Sequence, residues 1–104
     1  MHPHIEQYRQ QIADICHRQG VSRLDVFGSA LGDDFDEASS DLDVVVEFDR
    51  RIPGSGLARY FELKTQLERL LNRSVDIIEL GAMSNTRLKR SIEQAKVPFY
   101  AATT

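Results

Sequence analysis

The eight residues Asp41 to Phe48, DLDVVVEF, constrain the fold more tightly than any other stretch of this 104-residue chain. Leu42, Val44, Val46 and Phe48 alternate with Asp41, Asp43, Val45 and Glu47. Successive side chains of a strand point to opposite faces, so the pattern predicts a β-strand with one apolar face and one face that carries two carboxylates. Same-face neighbours stand about 6.7 Å apart, and two bare carboxylates there repel by about 2.5 kcal/mol at an effective dielectric near 20. A bound cation would remove that cost. Oxygen-only ligands suit Mg²⁺ or Mn²⁺, and Mg²⁺ commonly takes one or two carboxylates with the rest of its shell from water and phosphate oxygens. Taken alone, D-x-D is a weak signal that more often marks a solvated strand face.

Two further features give it context. Val21 to Phe27 reads as a short strand that stops at Gly28-Ser29, and a Gly-Ser turn can bring backbone N–H groups close to a phosphate. Downstream, Val75 to Leu80 (VDIIEL) reads as a third strand with an acid, Asp76, set between apolar neighbours Val75 and Ile77. An unpaired acid in an apolar strand is costly and needs a partner, solvent or a metal. Three carboxylates on neighbouring strands beside a phosphate-contacting turn point to metal-dependent phosphoryl chemistry on a nucleotide.

The rest of the chain supplies a scaffold. Ile5, Tyr8, Ile12, Ile15 and Cys16 form a helical stripe over Ile5 to Gln19, with Gly20 as its C-terminal cap. Ala30 to Ser40, with four acids and two serines, reads as a short helical turn followed by a loop, and Arg50 to Gly56 as a connector. Leu57 to Leu71 is the clearest amphipathic helix, and its stripe of Leu57, Tyr60, Phe61, Leu63, Leu67, Leu70 and Leu71 is expected in the core. Asn72-Arg73 makes a turn. Ser84 is expected to cap a last helix with Leu88, Ile92 and Ala95 inward and Arg87, Lys89 and Arg90 outward, ended by Pro98; the tail to Thr104 reads as solvated surface. The expected fold is a single domain over residues 1–104 of α/β (α+β) class, a small mixed sheet with helices packed on it.

Composition excludes several alternatives. Thirteen basic against 16 acidic residues give a formal charge of −3, which offers no general attraction to nucleic acid, so no direct nucleic-acid binding is expected. Cys16 is the only cysteine, so there is no intramolecular disulfide or cysteine-rich zinc site, and the residue is expected as a small core side chain in a reducing cytoplasm. No apolar run approaches the roughly 20 residues of a membrane span. Walker, EF-hand, dinucleotide and H-E-x-x-H patterns are all absent, and no histidine near Ser29 suggests a hydrolase nucleophile.

The order strand, Gly28-Ser29, spacer, Ser40-Asp41-Leu42-Asp43, apolar strand and later Asp76 resembles the minimal nucleotidyltransferase domain of the polymerase-β-like superfamily. More narrowly, the chain is similar to the MNT antitoxins encoded beside HEPN toxins. The resemblance runs through FGSALGDDF, DVVVEF, LARYFELKTQLERLL and VDIIEL, nearly the whole chain. It implies a polymerase-β palm-like fold, with Gly28 and Ser29 contacting phosphate and Asp41, Asp43 and Asp76 as catalytic residues that hold one or two Mg²⁺ ions, for which Mn²⁺ can substitute. It also implies ATP as substrate and transfer of AMP to a tyrosine of a cognate HEPN ribonuclease toxin, as in a type VII antitoxin that assembles with its toxin. The alternative is a binding-only antitoxin with a degenerate nucleotide site; a small-molecule nucleotidyltransferase would need more chain for its acceptor. This sequence departs from the family pattern in two ways. The 11 residues between Ser29 and Asp41 are one more than usual and lack the common proline, and Gly32 stands where an arginine is common. The resemblance leaves Lys64, Arg87 or Lys89 as possible replacement cations.

Overall fold

The computed structural model describes residues 3–31, 41–52 and 56–102. Its first long element is a helix, α2 (Arg9–Arg18), preceded by a single turn, α1 (Pro3–Glu6). The helix expected over Ile5 to Gln19 is thus broken near Gln7-Tyr8, although Ile5, Ile12, Ile15 and Cys16 are buried as its stripe requires. Gly20 ends it with φ +73, a conformation that favours glycine, and gives its carbonyl to the Asp49 N–H at 2.8 Å.

Strand β1 (Val21–Phe27) pairs antiparallel with β2 (Leu42–Phe48), which pairs parallel with β3 (Val75–Ile78). A parallel neighbour cannot be reached by a tight hairpin, and the crossover is the helix α3 (Gly56–Leu71). After a short 3₁₀ turn at Leu80–Ala82 comes α4 (Thr86–Ala95), capped by Asn85, whose Oδ1 accepts from the N–H groups of Arg87 and Leu88 at 3.1 and 3.0 Å. The cap therefore lies one residue beyond Ser84. The tail is no solvated extension, because Val97–Ala101 forms a fourth strand, β4, antiparallel to β1, which completes a sheet of order β3-β2-β1-β4. Pro98 is tolerated at this edge. Phe99 is the extra residue of a bulge in the pairing with β1, and its carbonyl is taken by Arg9 Nη1 at 2.7 Å.

The apolar face of the sheet (Leu24, Val26, Leu42, Val44, Val46, Val75 and Ile77) packs with Ile12, Ile15 and Cys16 of α2 and Leu63, Leu67 and Leu71 of α3 in one cluster. The α3 stripe is narrower than expected: Leu57 and Phe61 are exposed. Burial of Cys16 pushes its thiol up to about 12, so it stays protonated and inert. The acidic spacer after Leu31, and Pro53 to Ser55 of the expected connector, lie outside the described residues. Among the described residues no helix is long and apolar enough to cross a membrane.

Candidate active site

The alternation in β2 places Asp43 on the face of the sheet opposite the main core, and strand register decides what it meets there. In the antiparallel pair Asp43 stands opposite Phe27, the residue before Gly28, and in the parallel pair it stands opposite Asp76. The three features read separately from the sequence thus sit at the same end of three adjacent strands. Asp41 lies just before β2 and is exposed, Asp43 is half-buried, and Asp76 is exposed.

Gly28 opens the 3₁₀ turn Gly28–Leu31, which also contains Ser29, with φ +80. A Cβ at Gly28 would fall 2.7 Å from Asp43 Oδ2, closer than real Cβ contacts allow. Both backbone conformation and space therefore demand glycine here. The missing side chain lets the turn approach the Asp43 carboxylate directly.

The Asp43 carboxyl is held above the usual carboxylate range, first by burial, then by the charge of Asp76 and a hydrogen bond shared with it, and finally by the charge of Asp41. All of these disfavour the anion. The cluster therefore holds excess negative potential that a cation would neutralise. Among the described residues no three His, Cys, Asp or Glu side chains form a ready metal cage. Mg²⁺ is commonly bound through one or two carboxylates plus water and substrate phosphates. The paired carboxylates of Asp43 and Asp76, with Asp41 exposed nearby, carry the oxygen-only donors that such an ion takes.

A groove of about 880 Å³ runs along the same face, lined by Arg23, Asp25, Val45, Glu47, Lys89 and Lys96 among others. It reaches Val45, the same-face neighbour of Asp43, but Asp43 is not part of its lining. Asp25 is a residue that the sequence reading missed. It is only 1% exposed, accepts from Arg23 Nε at 3.0 Å through both oxygens, and accepts from Lys96 Nζ at 2.8 Å. This bond ties the residue after α4 onto the carboxylate-bearing face of the sheet. The signal was available: Asp25 is a lone acid between Leu24 and Val26, the same anomaly that singled out Asp76. Of the candidate replacement cations, Lys64 is already committed to the Val75 carbonyl and to Glu68, whereas Lys89 lines the groove.

A mixed four-stranded sheet, with a glycine turn ending one strand and acids facing each other on the next two, defines a nucleotidyltransferase fold. The chain belongs to the nucleotidyltransferase domain family, whose profile matches residues 9–98. It is 30% identical over 91 residues to a Methanocaldococcus jannaschii protein named as a candidate protein adenylyltransferase, covering 88% of this chain and 94% of that one. A solved structure of a candidate minimal nucleotidyltransferase superposes with a TM-score of 0.72 at 31% identity, covering 90% of this chain and 91% of the other. The same fold also appears in a structure of tri-AMPylated Shewanella oneidensis HEPN toxin in complex with MNT antitoxin. There the TM-score is 0.65 at 20% identity, over 93% of this chain and 72% of that one, a likeness of fold.

Proposed function

We propose that this chain is a Mg²⁺-dependent protein adenylyltransferase that acts as a type VII antitoxin, transferring AMP from ATP to a tyrosine of a cognate HEPN toxin. The observation that carries the chemistry is the meeting of Gly28, Asp43 and Asp76 at one end of the sheet, where the Asp43 carboxyl is crowded by two other acids. Support for a protein acceptor comes from the M. jannaschii relative, and support for a toxin partner from the MNT–HEPN complex with the same fold.

In this reading Asp41, Asp43 and Asp76 hold the metal, which when bound would supply positive charge beside the triphosphate. The turn at Gly28-Ser29 presents backbone N–H groups to phosphate. Asp76, exposed beside Asp43, takes the proton of the incoming tyrosine hydroxyl. A bond forms between that oxygen and the α-phosphorus of ATP, the bond to the bridging oxygen breaks, and pyrophosphate leaves. The toxin is bound as a hetero-oligomeric partner in the cytoplasm, and AMP on its tyrosine silences it.

The test is neutralisation in cells that express the toxin from the adjacent reading frame. Native chain should restore growth, and the Asp41→Asn/Asp43→Asn chain should not, although it still folds and binds toxin. Neutralisation by the double variant would replace this reading with a binding-only antitoxin.

A further inference from the structure

Strand β3 lies at the edge of the sheet and is only four residues long, yet it carries Asp76. Main-chain groups of successive strand residues point to opposite edges. The Ser74 carbonyl is used inward, accepting from the Leu42 N–H at 3.0 Å, so both polar groups of Val75 face away from β2. There they meet two side chains of α3. Glu68 Oε2 accepts from the Val75 N–H at 2.9 Å, and Lys64 Nζ donates to the Val75 carbonyl. Lys64 and Glu68 also pair with each other at 3.3 Å, and both are about one-third exposed.

From this geometry we infer that Lys64 and Glu68 are positioning residues. One donor and one acceptor on α3 stand in for a neighbouring strand and fix the peptide units next to Asp76, so that Asp76 stays opposed to Asp43. The order of the pair supports this role. A glutamate four residues before a lysine stabilises a helix better than the reverse, and here the lysine comes first. The order serves the polarity of Val75: exchanging the two would set a carboxylate against a carbonyl and an ammonium against an N–H. The Val75 N–H, ahead of Lys64, also holds the Glu68 carboxyl below its usual range. The consequence for metal binding rests on the reading of the acids given above, whereas the clamp itself does not.

The decisive variant is Lys64→Glu/Glu68→Lys, which keeps an ion pair on α3 in the order that favours the helix. Amide exchange at Val75 should accelerate at least tenfold, the order parameter of the Asp76 amide should fall below those of its strand neighbours, and the Mn²⁺ dissociation constant should rise at least fivefold. Glu68→Gln, which retains an acceptor, should stay close to native in all three. Unchanged Val75 exchange or an unchanged Asp76 amide in the exchanged pair overturns the proposal, as does faster exchange with native Mn²⁺ affinity. A native chain that takes up no Mn²⁺ contradicts the metal reading alone, and the two amide measurements then decide the clamp. Should the double exchange fail to fold, Glu68→Leu compared with Glu68→Gln provides the same contrast.

Discussion

At the scale of single residues, the account depends on Asp43 being held in an unfavourable place. Its proton affinity is raised in the folded state by burial and by two neighbouring acids. For such a group the folded chain binds more protons than the unfolded chain between the ordinary carboxylate value and the raised one. Stability is therefore greatest below the ordinary value and declines as pH rises through the raised one. Asp43→Asn removes that loss. Without metal at neutral pH it should raise Tm by about 4 °C, for a relief of roughly 1 kcal/mol in a domain of this size, and it should abolish the Tm increase expected when Mg²⁺ is added to the native chain. A lower Tm for Asp43→Asn, or a preserved Mg²⁺ response, would contradict the account. Gly28→Ala should fold with a loss of about 1–2 kcal/mol from the positive φ, and should lose transfer activity at least a hundredfold because the new methyl displaces the Asp43 carboxylate. Urea denaturation and initial rates measure the two effects separately. The carboxylate face of β2 was legible from alternation alone, but the Gly28–Asp43 approach was not. It is set by the register between strands, which no local pattern records.

At the scale of elements, the strands flanking the site were visible because their apolar runs are bounded by turn residues, and α3 because its period is helical. The failures share one physical origin, in tertiary context that overrides a local signal. Pro98 reads as a stop, yet at a sheet edge its missing N–H costs nothing and Phe99 is pulled into the core. Leu57 and Phe61 have helical spacing, yet the buried stripe of α3 contains only Leu63, Leu67 and Leu71. Both strand edges are closed by helix side chains, Arg9 at Phe99 and the Lys64–Glu68 pair at Val75. Two substitutions probe this scale. Phe99→Ala should destabilise by roughly 3 kcal/mol, because it removes a buried ring on which the Arg9 guanidinium stacks at 4.1 Å. Asn85→Ala should cost about 1 kcal/mol while Ser84→Ala stays within about 0.5, since Asn85 carries the cap hydrogen bonds. Equal effects at Ser84 and Asn85 would move the helix start.

At the scale of the whole molecule, one face of the sheet is sealed by helices and the other carries the acids Asp25, Asp43 and Asp76. Helices α2 and α3 seal the apolar face, and the Lys96–Asp25 bond ties the segment after α4 to the other. The groove lies toward one end of the strands, from Val45 to Ile52 and Glu79 to Ala82, whereas Asp43 and Asp76 meet at the opposite end, where they align with Phe27. The central claim is that this end transfers a nucleotide to a protein. The most direct measurement is the intact mass of the cognate HEPN toxin after incubation with the purified chain, ATP and Mg²⁺, compared with the Asp41→Asn/Asp43→Asn chain. The account predicts whole AMP increments on a toxin tyrosine with the native chain, and none with the double variant or with a chelator present. AMP increments of equal size from the double variant, or a neutralised toxin of unchanged mass with the native chain, would contradict it.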